Sequence, residues 1–379
     1  MRRSTDRIIV SHAGTLPKPD GLTEAGLDDA VAEIVRKQAE IGIDIVNDGE
    51  LSKMRGGFSQ YIRERMSGIT QHPKNANEPQ TAPVFGRDLL EFPGYHASGL
   101  GGFNFGPPRP ANAAPPVPQD PYYATSALTY VGQENVQTDI ARLKASCEGL
   151  DVEPYIPAIS PGTIEHWLRN EHYPDHESFL FAIADVMHDE YKAITDAGVV
   201  LQIDDPDLPD AWQMFPDMSV KDYRDYATLR MEAINRALTG IDPELVRHHI
   251  CWGSQHGPHK NDIALKEIAD IVVKVNSSCL SIEAANPVHE HEWVIWKDIK
   301  LPEGKTLMPG AVGHVTDLIE TPELVAQRLV RYASVVGKEN VVAGTDCGIG
   351  TRVGHGEIAW AKLTSLAEGA RLASEELWS

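Results

Sequence analysis

Cysteine is scarce, with four residues in 379. That is too few for a disulfide framework, and a chain of this length buries enough surface to fold without staples, so the cytoplasm is the expected compartment. No apolar run approaches the ~20 residues of a membrane-spanning helix. The start Met1-Arg2-Arg3 is basic, but only Ile8-Ile9-Val10 follows before His12 and Gly14, which is too short for the apolar core of a signal peptide. Basic residues are outnumbered as well: 34 Lys and Arg against 55 Asp and Glu leave a formal charge of −21. This argues against nucleic-acid or anionic-membrane partners, which call for a basic footprint. No internal repeat is visible, and one domain spanning 1–379 accounts for the residues. The expected partners are small molecules, with homo-oligomer formation left open.

What is present is an alternation of short β-branched runs with longer helical patterns, the signature of a parallel sheet with crossover helices. Eight strands are expected at Arg7–Ser11, Ile43–Asp48, Glu153–Ile159, Val199–Asp204, His248–Trp252, Cys279–Glu283, Thr306–Pro309 and Val341–Thr345. Eight such units suggest an α/β fold of the closed (β/α)8 barrel type. Helices fit between them. Leu27, Val31, Ile34 and Val35 share one face ahead of Gly42; Phe179 to Ala197 repeats the pattern ahead of Gly198; Thr321-Pro322 reads as a cap and first turn; and Ile358 to Leu377 would close the barrel.

One stretch, 70–137, interrupts this order after the second strand. It holds Pro107-Pro108-Arg109-Pro110 and Pro115-Pro116-Val117-Pro118, with Gly99, Gly101 and Gly102 beside Phe103 and Phe105. It reads as an insertion with a strand pair around Ser126–Gly132. Covering the barrel mouth or an oligomer partner and serving as plain decoration are equally open roles.

Barrel active sites form at the carboxyl ends of the strands, and polar residues gather at those ends here. Residues i and i+2 of a strand face the same way, so His249 and Cys251 can both face the barrel axis while Ile250 packs outward. Glu283 ends the sixth strand, and Cys347 follows the eighth. Imidazole, thiolate and carboxylate together suit zinc. His-x-Cys by itself also fits a packed histidine and a buried thiol; the recurrence of Glu and Cys at equivalent strand ends favours a metal site. His248 alternates out of this set toward the helices. His256, His259, His289 and His291 read as exposed or loop-bonded, Cys147 and Cys279 as ordinary thiols, and His355 with Glu357 as a helix cap or a substrate contact.

The strings Gly14-Thr15-Leu16-Pro17, Asp48-Gly49-Glu50, Gln202-Ile203-Asp204-Asp205-Pro206, His249-Ile250-Cys251, Ile282-Glu283 and Asp346-Cys347-Gly348-Ile349-Gly350-Thr351-Arg352 resemble the catalytic barrel of cobalamin-independent methionine synthases. The resemblance implies zinc held by His249, Cys251, Glu283 and Cys347, activating the thiol of homocysteine for attack on a methyl donor, a methylated folate in that family. It places Thr15, Glu50 and Asp204 around the amino-acid part of the thiol; the two carboxylates could instead be ion-paired. His12 and Arg352 join them as expected substrate contacts. Two departures stand out. A chain of this length holds one barrel where the family has two, and the family's histidine acid after strand seven is replaced by Glu320, with His314 and Asp317 nearby as further acid candidates. The alkyl donor therefore stays open. An epoxyalkane:coenzyme M transferase type of reaction, for which Lys53, Arg55 and Arg352 could meet a sulfonate, is an alternative. A non-catalytic thiol- or metal-binding barrel and a zinc-free barrel like the uroporphyrinogen decarboxylases are others.

Overall fold

A computed structural model describes residues 1–53, 57–74, 83–98, 120–350 and 352–379. Among the described residues there are eleven strands: β1 Ile9–Val10, β2 Ile45–Val46, β3 Met66–Gln71, β4 Tyr122–Tyr130, β5 Glu153–Ile159, β6 Leu168–Asn170, β7 Val200–Asp204, β8 Val246–Ile250, β9 Cys279–Ile282, β10 Thr306–Val312 and β11 Val342–Thr345. Eight of them form one parallel sheet in the order β1-β11-β10-β9-β8-β7-β5-β2, so the expected (β/α)8 architecture is the one observed. At the seam between β1 and β2, the Asp44 N–H donates to the Val10 carbonyl (2.9 Å), and the Asp44 carboxylate accepts from the Val10 N–H (2.8 Å).

Alternation along the strands sorts the side chains. Ile9, Ile45, Tyr155, Val200, Cys279, Met308 and Val342 pack together as one interior cluster, one residue from each of seven barrel strands. Their neighbours Val10, Val46, Ile156, Leu201, Leu280, Leu307 and Ala343 join the larger cluster shared with the helices. The eighth strand, β8, adds Arg247 to the interior. Its guanidinium lies 4.1 Å from the Tyr155 ring and donates to Ser11 Oγ (2.8 Å) and the His12 carbonyl (3.0 Å). One step further along the same face stands His249.

The strand boundaries shift slightly from expectation. β8 starts at Val246 and stops at Ile250, so Cys251 is the first residue beyond it, and β10 runs on to Val312. The helices start where short polar side chains can satisfy their first N–H groups: Ser160, Asp175, Ser219 and Thr321 each accept from the backbone N–H three residues on. His355 does the equivalent at the last helix, accepting from the Glu357 N–H, which gives it a cap role. No helix among the described residues is long and apolar enough to cross a membrane.

Beside the barrel, β4 pairs antiparallel with β3, most of which precedes residue 70, and β6 lies parallel on its other side, so of a pair expected around Ser126–Gly132 only β4 falls in that stretch. The proline-rich run 107–118 and Arg55 lie outside the described residues. A buried ion pair ties the segment before β3 to the barrel helices. Glu190 of the helix His176–Asp196 accepts from Arg65 Nε (3.0 Å), Tyr61 Oη (2.8 Å) and Tyr130 Oη.

Candidate active site

The polar strand ends surround a cavity of about 630 Å3. At one part of its wall are His249, Cys251 and Cys347, whose Nε2 and Sγ atoms all lie within 4.8 Å of one another. The two sulfur atoms are 3.9 Å apart. His249 Nδ1 pairs with Ser281 Oγ at 2.9 Å, and its Nε2 is buried with no partner among the described residues. An orphaned buried nitrogen facing two thiols is costly unless something fills the gap. These three groups can hold a metal ion.

The three groups act on one another's charge. Contact with Cys251, helped by His249 and His314, holds the Cys347 thiol well below its usual range against the opposing effect of burial. The same contact, now reinforced by burial, pushes Cys251 well above it. Burial works against a charged His249, but the contact with Cys347 outweighs it and raises the imidazole. The contact thus favours the anion at Cys347 over Cys251.

Glu283 stands against the same strand end in a neighbouring cluster with His314 and Asp346, again within 4.8 Å of one another. Its carboxylate accepts from the N–H of Trp252 (2.9 Å), next to Cys251, and from Asn286 Nδ2 (3.0 Å). Asp346 accepts from the N–H groups of Ala284 and Ala285 at 2.7 and 2.8 Å. Burial and then the charge of Glu283 push it well above the carboxylate range, against the two backbone N–H groups that it accepts from.

Thr15, Glu50, Lys53 and Asp204 line the cavity together with His249, Cys251 and Cys347. Thr15 Oγ1 donates to Glu50 Oε1 at 3.0 Å. Glu50 has φ +57°, a left-handed conformation that a non-glycine residue adopts at a cost, as is common at functional sites. Gly14 makes room for it: a Cβ there would lie 2.3 Å from Glu50 Oε1. Burial, with Asp204 close by, pushes Glu50 up to about 8, and burial brings Asp204 up to about 6. Two carboxyl groups that resist joint ionisation in a closed wall form a site for a cationic group.

Other expected site residues sit elsewhere. His12 is buried and does not line the cavity; its Nε2 meets Gln38 Oε1 (2.8 Å), and its Nδ1 accepts from the Gly14 N–H (3.3 Å). It supports the Gly14-Thr15 turn from behind. Glu320 does not line the cavity either, because Lys362 Nζ (2.8 Å) and the Gly313 N–H (2.7 Å) engage its two oxygens. Asp317 accepts from the Gly354 N–H at 2.7 Å, which ties two loops together. Neither is in place to act as an acid. His314 is buried, with Nε2 3.1 Å from Ser254 Oγ, close enough to help hold Cys347 anionic. Arg352 lines the cavity, where burial lowers its pKa against the opposing pull of the two thiols. His248 faces away as expected, paired with Asp205 at 2.9 Å. His259 and His289 are more buried than loop histidines were expected to be. Asp262 bridges them, and the His289 ring stacks on Trp252 with centroids 3.9 Å apart.

Sequence reasoning passed over His166, Trp167, Asp207 and Asp210, all of which line the cavity. The signal was available for two of them. Thr163 ends the Ser160–Thr163 turn, and positions three and four residues on fall on the same face of a helix that starts there.

Comparison with known proteins gives a consistent picture. The family model described as the catalytic domain of cobalamin-independent synthase matches residues 158–371. A methionine synthase of Saccharolobus solfataricus is 28% identical over 375 residues, covering 98% of this chain and 91% of the relative. One from Pyrococcus abyssi is 26% identical over 370 residues, covering 96% and 87%. Among solved structures, a B12-independent methionine synthase from a Shewanella species in complex with selenomethionine superposes with a TM-score of 0.70 at 23% identity, over 98% of this chain and 99% of that one. A putative vitamin-B12 independent methionine synthase from Listeria monocytogenes gives 0.63 at 16% identity, over 98% and 99%. These two likenesses establish the fold.

Proposed function

The chain belongs to the family of cobalamin-independent synthase catalytic domains, and from that premise we propose that it is a zinc-dependent methyltransferase converting a small amino-acid thiol, homocysteine or a close analogue, into its methyl thioether. The observation that carries this reading is the meeting of His249 Nε2, Cys251 Sγ and Cys347 Sγ on the wall of a cavity that also presents Glu50 and Asp204.

The donor set fits zinc. Two sulfurs each ~2.3 Å from a tetrahedral ion stand ~3.8 Å apart, and Cys251 and Cys347 are separated by 3.9 Å. His249 Nε2 is the orphan that such an ion would satisfy, and Ser281 on Nδ1 orients the ring. Glu283, fixed by Trp252 and Asn286, is the fourth group. Bound there, zinc supplies a thiol held as thiolate near neutral pH.

The chain's own residues supply recognition. Glu50 and Asp204 take the ammonium group, Thr15 holds Glu50 in register, and Arg352 takes the carboxylate beside the thiols. A sulfonate thiol such as coenzyme M would meet the two carboxylates where an ammonium is wanted, so the amino-acid thiol is the better match.

The test is metal content and product together. Cys347→Ala and Cys251→Ala should each lose zinc and the release of thioether from homocysteine in the presence of a methyl donor. A variant with full turnover and depleted metal would overturn the reading, and zinc binding without any thioether in the wild type would point to a binding protein.

A further inference from the structure

Among the described residues, the stretch between β3 and β4 includes a short segment, 83–98, that reaches the cavity: Val84 lines it together with Asp210, Cys251, Gly253 and Ser254. Two short helices follow, Gly86–Glu91 and Pro93–Ala97. They bury almost no apolar surface. Only Gly86 and Asp88 are buried in the first and no residue in the second, and Leu90 is 69% exposed.

What holds the segment is polar. Arg87 donates to three carbonyls at the end of the helix Asp207–Met214 and just beyond it, those of Trp212 (2.6 Å), Phe215 (2.8 Å) and Met218 (2.9 Å). Its guanidinium lies 3.4 Å from the Trp212 ring centroid. A helix leaves its last carbonyls without partners, and a cation is favoured there. The buried Asp88 accepts from the N–H (3.0 Å) and Nδ2 (2.8 Å) of Asn261, and its own N–H donates to Gln213 Oε1 (3.1 Å). Gln213 Nε2 donates in turn to Asp262 (2.9 Å), the carboxylate that bridges His259 and His289.

Apolar burial is non-directional, whereas hydrogen bonds to a buried carboxylate and from a planar guanidinium fix both distance and angle. A segment that merely covered the surface would need neither. The helix that Arg87 grips also carries Asp207 and Asp210 into the cavity wall, so Val84 is held in register with that wall. Gly253 brings no side chain to it: φ is +84°, and a Cβ there would lie 2.2 Å from Gln255 Oε1. Gln255 Nε2 reaches the Val84 carbonyl at 3.5 Å. Val84 therefore supplies apolar bulk beside the loop that follows Cys251.

Resting on the proposed alkylation of a thiol at this site, we propose that residues 83–98 are a working wall of the active site. Val84 limits the bulk of the alkyl group that can reach sulfur in the cavity, and Arg87 and Asp88 are the residues that position it. An apolar wall discriminates by about 10- to 200-fold per methylene, so one branched side chain is enough to favour methyl over a longer chain.

The experiment uses the zinc-loaded enzyme, homocysteine and two donors with the same leaving group, methyl iodide and n-propyl iodide, each corrected for its rate without enzyme. With either donor the thiolate sulfur bonds to carbon, the carbon–iodine bond breaks, iodide leaves with the electron pair, and the thiol proton goes to the buffer. Val84→Ala should raise the propyl-to-methyl ratio of kcat/KM by about 10-fold or more, with KM for homocysteine and zinc content kept. Val84→Phe should lower the ratio. Arg87→Ala should shift it in the same direction as Val84→Ala, and Arg87→Lys, which keeps the charge but not the fork, should shift it less. Lower rates with both donors at an unchanged ratio in Val84→Ala would overturn the proposal. A second readout needs no turnover: after zinc is chelated, labelling of Cys347 by iodoacetanilide relative to iodoacetamide should rise by about 10-fold in Val84→Ala. Thioether from neither iodide in the wild type would overturn the proposed function, and the labelling ratio would still decide this inference, a raised ratio supporting it and an equal one overturning it.

Discussion

The sulfur atoms of Cys251 and Cys347 stand 3.9 Å apart although 96 residues separate them in the chain. Their contact acts on them unequally, holding Cys347 low and raising Cys251. Burial pushes Cys147 up to about 11 and also raises Cys279. After chelation, iodoacetamide should therefore label Cys347 first, and restoring zinc should protect it. Peptide mass spectrometry reads this directly, and uniform labelling of all four cysteines would contradict the charge division.

Glu50→Gln should weaken homocysteine binding by about 10- to 100-fold, the worth of a hydrogen bond to a charged group. It should also change the pH dependence. Burial and Asp204 raise Glu50 to about 8, so at neutral pH the free carboxyl is protonated and must lose its proton to meet an ammonium. Wild-type affinity should rise with pH up to about 8, with proton release visible in calorimetry in two buffers. In the variant both signals should shrink.

Glu190→Ala removes the acceptor of Arg65, Tyr61 and Tyr130 in a buried setting. Breaking a buried pair from one side costs about 3–5 kcal/mol. Urea unfolding should show that loss, and Glu190→Gln, which keeps an acceptor, should lose less.

His259 and His289 give stability its own pH dependence. Burial disfavours their charge, but pairing with Asp262 raises them to about 10 and about 9. A group raised on folding binds more protons in the native state, so its contribution is complete below the unfolded value near 6.5 and is lost as pH climbs through the folded value. Unfolding free energy should decline between about pH 7 and pH 10. His289→Gln should flatten that decline, and a chemical-denaturation series across the range would measure it.

The residues that proved legible share one property: their direction follows from local geometry. His249 and Cys251 face inward because they alternate with Ile250. Glu283 and Cys347 follow their own strands at the same rim, and Thr15, Glu50 and Asp204 open onto the cavity at the ends of the first, second and fourth barrel strands. Alternation along a strand and the closure of eight units are enough to bring such ends together.

The acid assignments were not legible, because each depends on a partner that chain order does not indicate. Glu320 looked available until Lys362, on the last helix, was placed against it, and Asp317 until Gly354 was. His166 looked unremarkable until Asp207, from a different strand end, met its ring. The sequence by itself determined the barrel and which strand-end side chains turn toward its mouth, since periodicity dictates which way those side chains point. Only the tertiary structure decided which carboxylates are bound up in ion pairs and which imidazole meets a buried carboxylate at the cavity wall. A titratable group's role depends on the charges and donors around it, and those arrive from elsewhere in the chain.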